Sequence, residues 1–463
     1  MAIKRYSSRH QATGIPFIFV QGNLMKSSKR KICQAITLVI SALGASVAMA
    51  QTAPSLIGGG SSLVAPTIGT EISAFPAADG TISYYSVGSG KGQTAFLNND
   101  PSQFNSGTVT VTGTVDFANS DAPLSSAQVS AYTSTGGLGV TNGPLIQIPY
   151  IVTPIAIPLV NAPTGTGPAL PNSATPTVAL NDDDLCGIFS GKLTDWNQVI
   201  NPDNSSAYSS SSKPITVIYR ADNSGTTDLT TAHLAKVCHT TSFVRNGVTV
   251  AANSNITFTE SQNFAGEFTG GVPSNFRSAT GSGGVAAALL ALSGAGVGYL
   301  SPDYTNTFLA PSSSPAKTNN LSVASLRNDF TGTDIVPTYQ NATTAIGTVA
   351  PPAKQAGAKD PTQWVPAASN PTAGYPIAGT SQIIVSQCYA NPKSNSPAPA
   401  AAVVDFLTQH YSSSNAATLH GNGFDSVPSN YLTAINNDFL SNASTWNLNI
   451  GNTTTCSGSV TGR

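Results

Sequence analysis

Four times along this chain an apolar run suited to a strand ends in small and hydroxyl residues, with glycine in three of the four, that lead into a helix. The stretches are "GGGSSLVAPT" (58–67), "YYSVGSGKGQTAFL" (84–97), "FANSDAPLS" (117–125) and "YRADNSGTTD" (219–228). A strand that turns at once into a helix reaches the next strand by a crossover, so this repeated junction calls for an α/β fold with largely parallel sheets. "TISYYSV", "TVDFANS", "IPYIVTPIAIPLV", "ITVIYR", "GVGYL" and "SQIIVSQCYA" read as strands, and "GGVAAALLALSG" and "PAAAVVDFLTQHY" as helices. Between them "NAPTGTGPALPNSATPT", "NPDNSSAYSSSSKP" and "TVAPPAKQAGAKDPTQWVPAASNPTAG" read as surface loops or insertions without regular structure, because of their Pro, Gly and Ser content. No fixed-period repeat is present.

Charge divides the chain at Ala50. All 21 acidic residues follow it, whereas seven of the 20 Lys and Arg precede it. "MKSSKRK", the apolar "ICQAITLVISALGASV" and "AMA" before Gln51 supply the three parts of a secretory signal peptide over residues 1–50, with Met25 as an alternative start. The apolar run is short for a membrane span. Cys33 lies at the start of that run, badly placed for a lipidated first residue. The remaining 413 residues carry 13 cationic against 21 acidic side chains, a formal charge of −8. An acidic chain with no basic stripe argues against nucleic-acid binding. Its length suggests two or three domain-sized units, with apolar content for two cores. Charged residues are only 9% of the chain, and Ser, Thr, Asn and Gly fill the surface instead, as suits an exported protein. Cys186, Cys238, Cys388 and Cys456 remain after cleavage; their even number in an oxidising compartment, without a Cys-x-x-Cys pair, favours two disulfides over a metal site.

The four strand-to-helix junctions share one chemistry. Unpaired N–H groups at a helix start, backed by the helix dipole, suit a tetrahedral oxyanion. Ser and Thr hydroxyls extend the donor set, and the Arg220 guanidinium matches such an anion bidentately. Taken singly, each junction is explained by helix capping alone. Asp121 fits an anion site only if the anion carries a proton to give, which would make the carboxylate a filter for hydrogen phosphate against sulfate. The competing reading is a helix N-cap ahead of Pro123. Elsewhere the chemistry is poor. His233, His239, His410 and His420 lack carboxylate or Cys partners at metal-ligand spacing. "GSGKGQT" has no Ser or Thr after its Lys, "GSGGVAAALLAL" reads as an apolar helix start rather than a dinucleotide turn, and no Gly-x-Ser-x-Gly accompanies the His and Asp of "HGNGFDS".

"GGGSSLVAP", "YYSVGSGKG", "DFANSDAPLS" and "VIYRADNSGTT", in this order, resemble the periplasmic phosphate-binding protein of the bacterial phosphate ABC transporter and the related DING phosphate-binding proteins. The family's "GAGATFPAP", "GSSGG", "DFGASDAPL" and "YRADGSGTT" line up with them. "GIFSGKLTDWNQV", "GVGYLS", "YPIAGTSQIIV" and "NGFDSVP" extend the similarity over essentially the whole mature chain. "SLIGGG" lacks the literal Asp-Ile-Asn-Gly opening of the DING group, which leaves the subgroup open. Carried over position by position, the resemblance implies phosphate ligands at Ser62 (hydroxyl and N–H, in place of Thr), the N–H of Leu63, Ser89, Asp121, Arg220, Ser224, the N–H of Gly225, and Thr226. Lys91 replaces a small residue and is expected to face solvent.

The resemblance further implies a two-lobed periplasmic-binding fold of the type II, Venus-flytrap kind. Lobe I would comprise residues 51–154 plus 376–463 and lobe II residues 155–375, with hinge crossings near "IVTPIAIP" and "YPIAGTSQ" and phosphate between the lobes. Under these boundaries Cys186 pairs with Cys238 and Cys388 with Cys456, each bridge within one lobe. The implied function is non-enzymatic, high-affinity binding of inorganic phosphate by a monomeric, periplasmic or secreted protein that serves a phosphate ABC transporter permease, without cofactor or metal. The alternatives are a secreted DING-like protein with an alkaline phosphatase or phosphate-scavenging role, and a surface adhesive protein on the same scaffold.

Overall fold

The computed structural model describes residues 51–463 apart from Asn246 and Ala367. The expected leader over 1–50, with Met25 and Cys33, lies outside the described residues. Two five-stranded sheets organise the rest. The first contains β1 (Ser55–Gly60), β2 (Thr81–Ser86), β3 (Phe117–Ser120), β4 (Leu145–Pro154) and, from far along the chain, β10 (Ala378–Ser386), in the order β2-β1-β3-β10-β4. The second contains β5 (Pro158–Val160), β6 (Ile215–Arg220), β7 (Phe276–Ala279), β8 (Ala295–Val297) and β9 (Ser322–Val323), in the order β7-β6-β8-β5-β9.

Each sheet is parallel except for one inner strand. In the first, β1 runs parallel to β2 and β3, while β10 is antiparallel to both β3 and β4. In the second, β6 runs parallel to β7 and β8, while β5 is antiparallel to β8 and β9. The reason is topological. Strands built within a sheet aim their carboxyl ends at the other sheet, and β5 and β10 are the strands by which the chain arrives from there, so they run the opposite way. "IPYIVTPIAIPLV", expected as one strand, is accordingly two, β4 and β5, separated by residues 155–157. The two crossings touch: Ile155 N–H donates to Ile377 O at 2.8 Å.

Helices fill the crossovers: α1 (Ala65–Ala74), α2 (Ser89–Asn98), α3 (Ser126–Thr133), α4 (Asp182–Phe189), α5 (Gly225–Val237), α6 (Gly281–Leu290), α7 (Tyr339–Ile346), α8 (Pro399–His410) and α9 (Ser429–Ile435). Local chemistry sets their starts. Ser125 with Gln128 and Asn181 with Asp184 form capping boxes on α3 and α4, and Ser224 caps α5 by accepting from Thr227 N–H. Both disulfides form, Cys186–Cys238 tying α4 to the end of α5 and Cys388–Cys456 tying the chain after β10 to the C-terminal segment.

The largest apolar cluster runs through both sheets by way of Tyr150, Ile151, Ile155, Ile157 and Leu159. One expectation needs correction. The Pro-rich 348–374 stretch is not a plain surface loop. It contains short helical turns at Gln355–Ala358 and Pro361–Trp364, and Trp364 is fully buried, edge-on to Phe439 and Tyr431. Burying an indole outweighs the low propensity of its neighbours. Together with α7, whose Ala342 and Ile346 pack on Val152 and Ala378, this part of the expected second lobe lies against the first sheet. Gln147 Nε2 donates to Pro361 O (3.0 Å) and Gln355 Nε2 to Trp446 O (3.0 Å) along the same contact.

A buried polar node holds α1 to α8. Glu71 accepts from the Tyr150 hydroxyl, from Asn415 Nδ2 (2.6 Å) and from His410 Nδ1 (2.8 Å), while His410 Nε2 meets Tyr150 O at 2.7 Å. Burial raises the Glu71 carboxyl, but the charge and hydrogen bond of His410, with those of Tyr150 and Asn415, outweigh it and hold the group below its ordinary value near 4.5. A carboxyl depressed on folding contributes stability above its unfolded pKa and loses it as pH falls through the folded one. Glu71→Gln should therefore cost about 3–5 kcal/mol at neutral pH. Urea midpoints measured down to pH 3 should fall less steeply for the variant than for the wild type.

Candidate functional site

Register brings the junctions together. Gly60 of β1 stands level with Ser86 of β2 and Asn119 of β3, so the turns at 61–63, 87–89 and 120–122 emerge side by side from the first sheet. Opposite them Arg220 ends β6 level with Ala279 of β7, which sets the start of α5 beside the start of α6. The two groups of turns meet. Gly90 N–H donates to Asn223 O (3.1 Å), and Gly88, at φ 94°, has no Cβ where one would stand 2.5 Å from Asp222 Oδ2. Ser62, Leu63, Ser89, Asp121, Arg220, Ser224, Gly225 and Thr226 are all buried at this junction, linked by a continuous set of contacts.

Asp121 is its centre. Its Oδ1 accepts from the hydroxyls of Ser61 (2.7 Å) and Ser381 (2.7 Å), and its Oδ2 from Ser89 (3.4 Å), whose oxygen in turn accepts Asp121 N–H (3.2 Å). The carboxyl is 2% exposed. Burial raises its pKa, against the lowering effect of Ser61, Ser381, Arg220 and Ser89. The capping alternative fails here, because the next helix, α3, starts at Ser126 and is capped by Ser125.

Arg220 is held rather than free. Its Nε donates to Asp222 Oδ1 (2.8 Å) and its Nη2 to Asp222 Oδ2, while Nη1 reaches Ser282 Oγ at 3.4 Å. Burial raises the Asp222 carboxyl, but the bonds and charge of Arg220 and the Gly281 N–H outweigh it, leaving it below its ordinary value. Tyr299 OH accepts Arg220 N–H (3.0 Å) and shares a 2.9 Å bond with Thr227 Oγ1, which locks the strand end to α5.

The helix start supplies the donors. The N–H groups of Gly225 and Thr226, in the first turn of α5, have no acceptor within the helix, and Thr226 Oγ1 is buried without a hydrogen-bond partner. Two other expected donors are engaged internally: Ser62 Oγ bonds Ser282 Oγ (2.9 Å) and accepts Ser282 N–H (3.2 Å), and Leu63 N–H donates to Ser61 Oγ (3.1 Å). Lys91, on α2, is exposed, as expected. The arrangement offers a buried cation, several N–H and O–H donors and one carboxylate acceptor, a set suited to a protonated tetrahedral oxyanion.

Sequence reasoning missed four members of this set. Asp222 sat two residues beyond Arg220, Ser61 beside Ser62, Ser381 inside a strand and Ser282 inside what read as an apolar helix start. It also misjudged the histidines: His233 meets Asp182 (2.9 Å), His410 meets Glu71 and His420 meets Asp425 (2.9 Å). These are pairs, and among the described residues no group of three or more His, Cys, Asp or Glu could hold a metal ion.

A family profile described as a PBP superfamily domain matches residues 45–410. Alkaline phosphatase L of Pseudomonas aeruginosa strain PAO1 is 34% identical over 91% of this chain and 96% of its own. A high-affinity periplasmic phosphate-binding protein, PfluDING, solved with bound phosphate, is similar with a TM-score of 0.66 at 33% identity, covering 88% of this chain and 99% of that one. A phosphate-binding protein from Stenotrophomonas maltophilia is similar over the same shares, with a TM-score of 0.64 at 32% identity.

Closeness across the junction makes Gly225 a test of closure. A Cβ there would lie 2.5 Å from Asp121 Cβ, 2.6 Å from Ser89 Oγ and 2.7 Å from Ala122 N, two of them in or next to backbone that cannot yield. Gly225→Ala is expected to wedge the two sheets apart, and small-angle scattering should give it a larger radius of gyration than the wild type under the same conditions.

Proposed function

Because the chain belongs to the PBP superfamily and, within it, to the DING and other phosphate-binding proteins, we propose that the cleft between its two sheets binds inorganic phosphate with high affinity. The observation that carries this is Asp121, a buried acceptor set among donors. Hydrogen phosphate and dihydrogen phosphate have a P–OH to give to its Oδ2; sulfate at neutral pH does not and meets lone pair against lone pair. Ser89, Arg220, Ser224, Thr226 and the N–H groups of Gly225 and Thr226 take the remaining oxygens. Ser62 and the Leu63 N–H exchange their present partners for phosphate.

The charges around the cleft support a binding mode that depends on hydrogen bonds. Arg220 and Asp222 cancel, Asp121 adds a negative charge, and the chain beyond Ala50 is itself acidic. Micromolar affinity, roughly −8 kcal/mol, must come from donors sheltered from water. We further propose that the two sheets define lobes at 51–154 plus 376–463 and at 155–375, except that α7 and the Trp364 turn, within the latter range, move with the first lobe, and that the crossings at Ile155 and Ile377 act as the hinge. The protein acts as a monomer outside the cytoplasm and delivers phosphate to an ABC transporter permease.

The relatives named alkaline phosphatase L favour a second reading, a phosphomonoesterase. Ser89 would be its nucleophile, yet among the described residues its only side-chain partner is Asp121 Oδ2 at a long 3.4 Å, and no His or Lys is hydrogen-bonded to it to act as base. Turnover of p-nitrophenyl phosphate well above that of Ser89→Ala would overturn the receptor reading.

Calorimetric titration of residues 51–463 with phosphate and sulfate tests the proposal. Arg220→Ala should lose about 2–5 kcal/mol of phosphate affinity, leaving Asp222 buried and unpaired as well. Lys91→Ala should bind like the wild type, and equal losses in the two would move the pocket elsewhere. Asp121→Asn should raise sulfate affinity relative to phosphate, because the amide can donate where the carboxylate only accepts; an unchanged ratio would remove Asp121 from the pocket.

A further inference from the structure

The Ser61 hydroxyl has no counterpart in the family pattern, where "GAGATFPAP" carries alanine at this position, yet it makes one of the two shortest bonds to the buried carboxylate. Ser61 Oγ accepts Leu63 N–H at 3.1 Å, which turns its own proton toward Asp121 Oδ1, 2.7 Å away. Ser381 donates to the same oxygen at the same distance. With both lone pairs of Oδ1 occupied by donors, a proton there would meet two other protons. Any protonation of Asp121 must occur on Oδ2, and the carboxylate cannot turn to present Oδ1 instead.

We propose that Ser61 is a specificity-determining residue that fixes Asp121 as an obligate acceptor and so extends the rejection of fully deprotonated tetrahedral oxyanions to acidic pH. The inference rests on the reading of the cleft as a phosphate site. Ser61 touches Asp121 and Leu63, so it acts as a positioning residue. It acts on selectivity by opposing protonation of Asp121, which would create an O–H donor for sulfate.

The other groups facing Asp121 set the field in which Ser61 works. Arg220 favours the ionised form. Asp228 on α5, Asp303 in the turn after β8, and Tyr84, whose hydroxyl donates to Ser61 O (2.7 Å), share its surroundings, and Glu260 lines the same small cavity as Asp121 and Asp228. Burial and the nearby Glu260 and Asp121 push Asp228 up to about 8, and burial pushes Asp303 higher than an ordinary carboxyl. Asp228 therefore does not contribute a full negative charge in the acidic range where the proposal is tested. Tyr84, raised well above its ordinary value by burial, stays neutral throughout.

The test is the phosphate-to-sulfate affinity ratio of wild type, Ser61→Ala and Asp121→Asn from pH 4.5 to 8.5, by calorimetry. Sulfate carries no proton over this range and the titration of phosphate is common to all variants, so the differences between their profiles report the protein. Ser61→Ala should keep the wild-type ratio at pH 8.5 to within about threefold, lose it roughly tenfold more than the wild type at pH 4.5, and bind phosphate no more weakly. Ser381→Ala, which empties the same lone pair region, should move the profile in the same direction. A Ser61→Ala profile superimposable on the wild type, with Asp121→Asn still altering the ratio, overturns the role of Ser61 alone. Failure of the wild type to bind phosphate, or an unaltered ratio in Asp121→Asn, overturns the phosphate site itself. A variant that was merely loosened would bind both anions more weakly at every pH, and that outcome also counts against the proposal.

Discussion

A carboxylate without access to water is tolerated only where donors replace its hydration, and the architecture of this protein converges on one such group. Left unpaired, a buried Asp121 would take up a proton and cease to be an acceptor. Three hydroxyls oppose this against the raising effect of burial, and they come from three separate parts of the chain: Ser61 after β1, Ser89 at the start of α2 and Ser381 in β10. The sheet must therefore be assembled before the site exists. In particular β10 must return from the other sheet and insert beside β3, bringing Ser381 next to the Asp121 turn through the pairing of Gln382 with Ser120. The reversed strand is thus a consequence of the crossing and also a source of one of the donors.

The opposite side of the cleft solves the converse problem, a buried cation. Arg220 is 2% exposed and would cost several kcal/mol unpaired. Asp222 pairs with it in the plane of the guanidinium, at the expense of the net positive charge that an anion site might be thought to need. Around the pair stand donors of fixed direction: Nη1 near Ser282, the helix start at Gly225 and Thr226, and hydroxyls held by neighbours. Donors aimed at one point discriminate among anions, whereas a diffuse positive field, which this acidic chain lacks, attracts them all.

The strand-to-helix junctions were legible because glycine, hydroxyl and apolar patterning are local, and all four lie where the ends of the two sheets meet. Their order along the chain, with the resemblance it carries, pointed to the residues that gather there. The partners of those residues were not legible. Asp222 looks like any turn aspartate until the β6 and β7 ends are seen level; Ser381 sits in an apolar strand whose neighbour is 260 residues away; and Ser61 gives no signal beyond the Ser-Ser pair. Carboxylate partners of His233 and His410 were missed for the same reason, since Asp182 and Glu71 reach them through tertiary packing. Trp364 was lost among prolines, whose low propensity hid an anchor that only the far C-terminal helix reveals.

That anchor changes how the two halves of the molecule are joined. The covalent crossings at Ile155 and Ile377 are not the only connection, because α7 and the Trp364 turn, which lie between them in sequence, pack on the first sheet, and the chain just beyond reaches back to α5. There Ser369 O accepts from His233 Nδ1 at 2.9 Å, while His233 Nε2 meets Asp182 at 2.9 Å. Burial lowers the His233 pKa, but the charge and hydrogen bond of Asp182 and the bond to Ser369 outweigh it and leave it raised above 6.5. A histidine that gains such partners contributes stability fully present below its unfolded pKa and lost as pH rises through the folded one. The same helix is therefore also tied, about two turns from its start, to a segment seated on the opposite sheet. Any separation of the first sheet from α5 at that point has to stretch or release that tie, so its free energy includes a term set by His233.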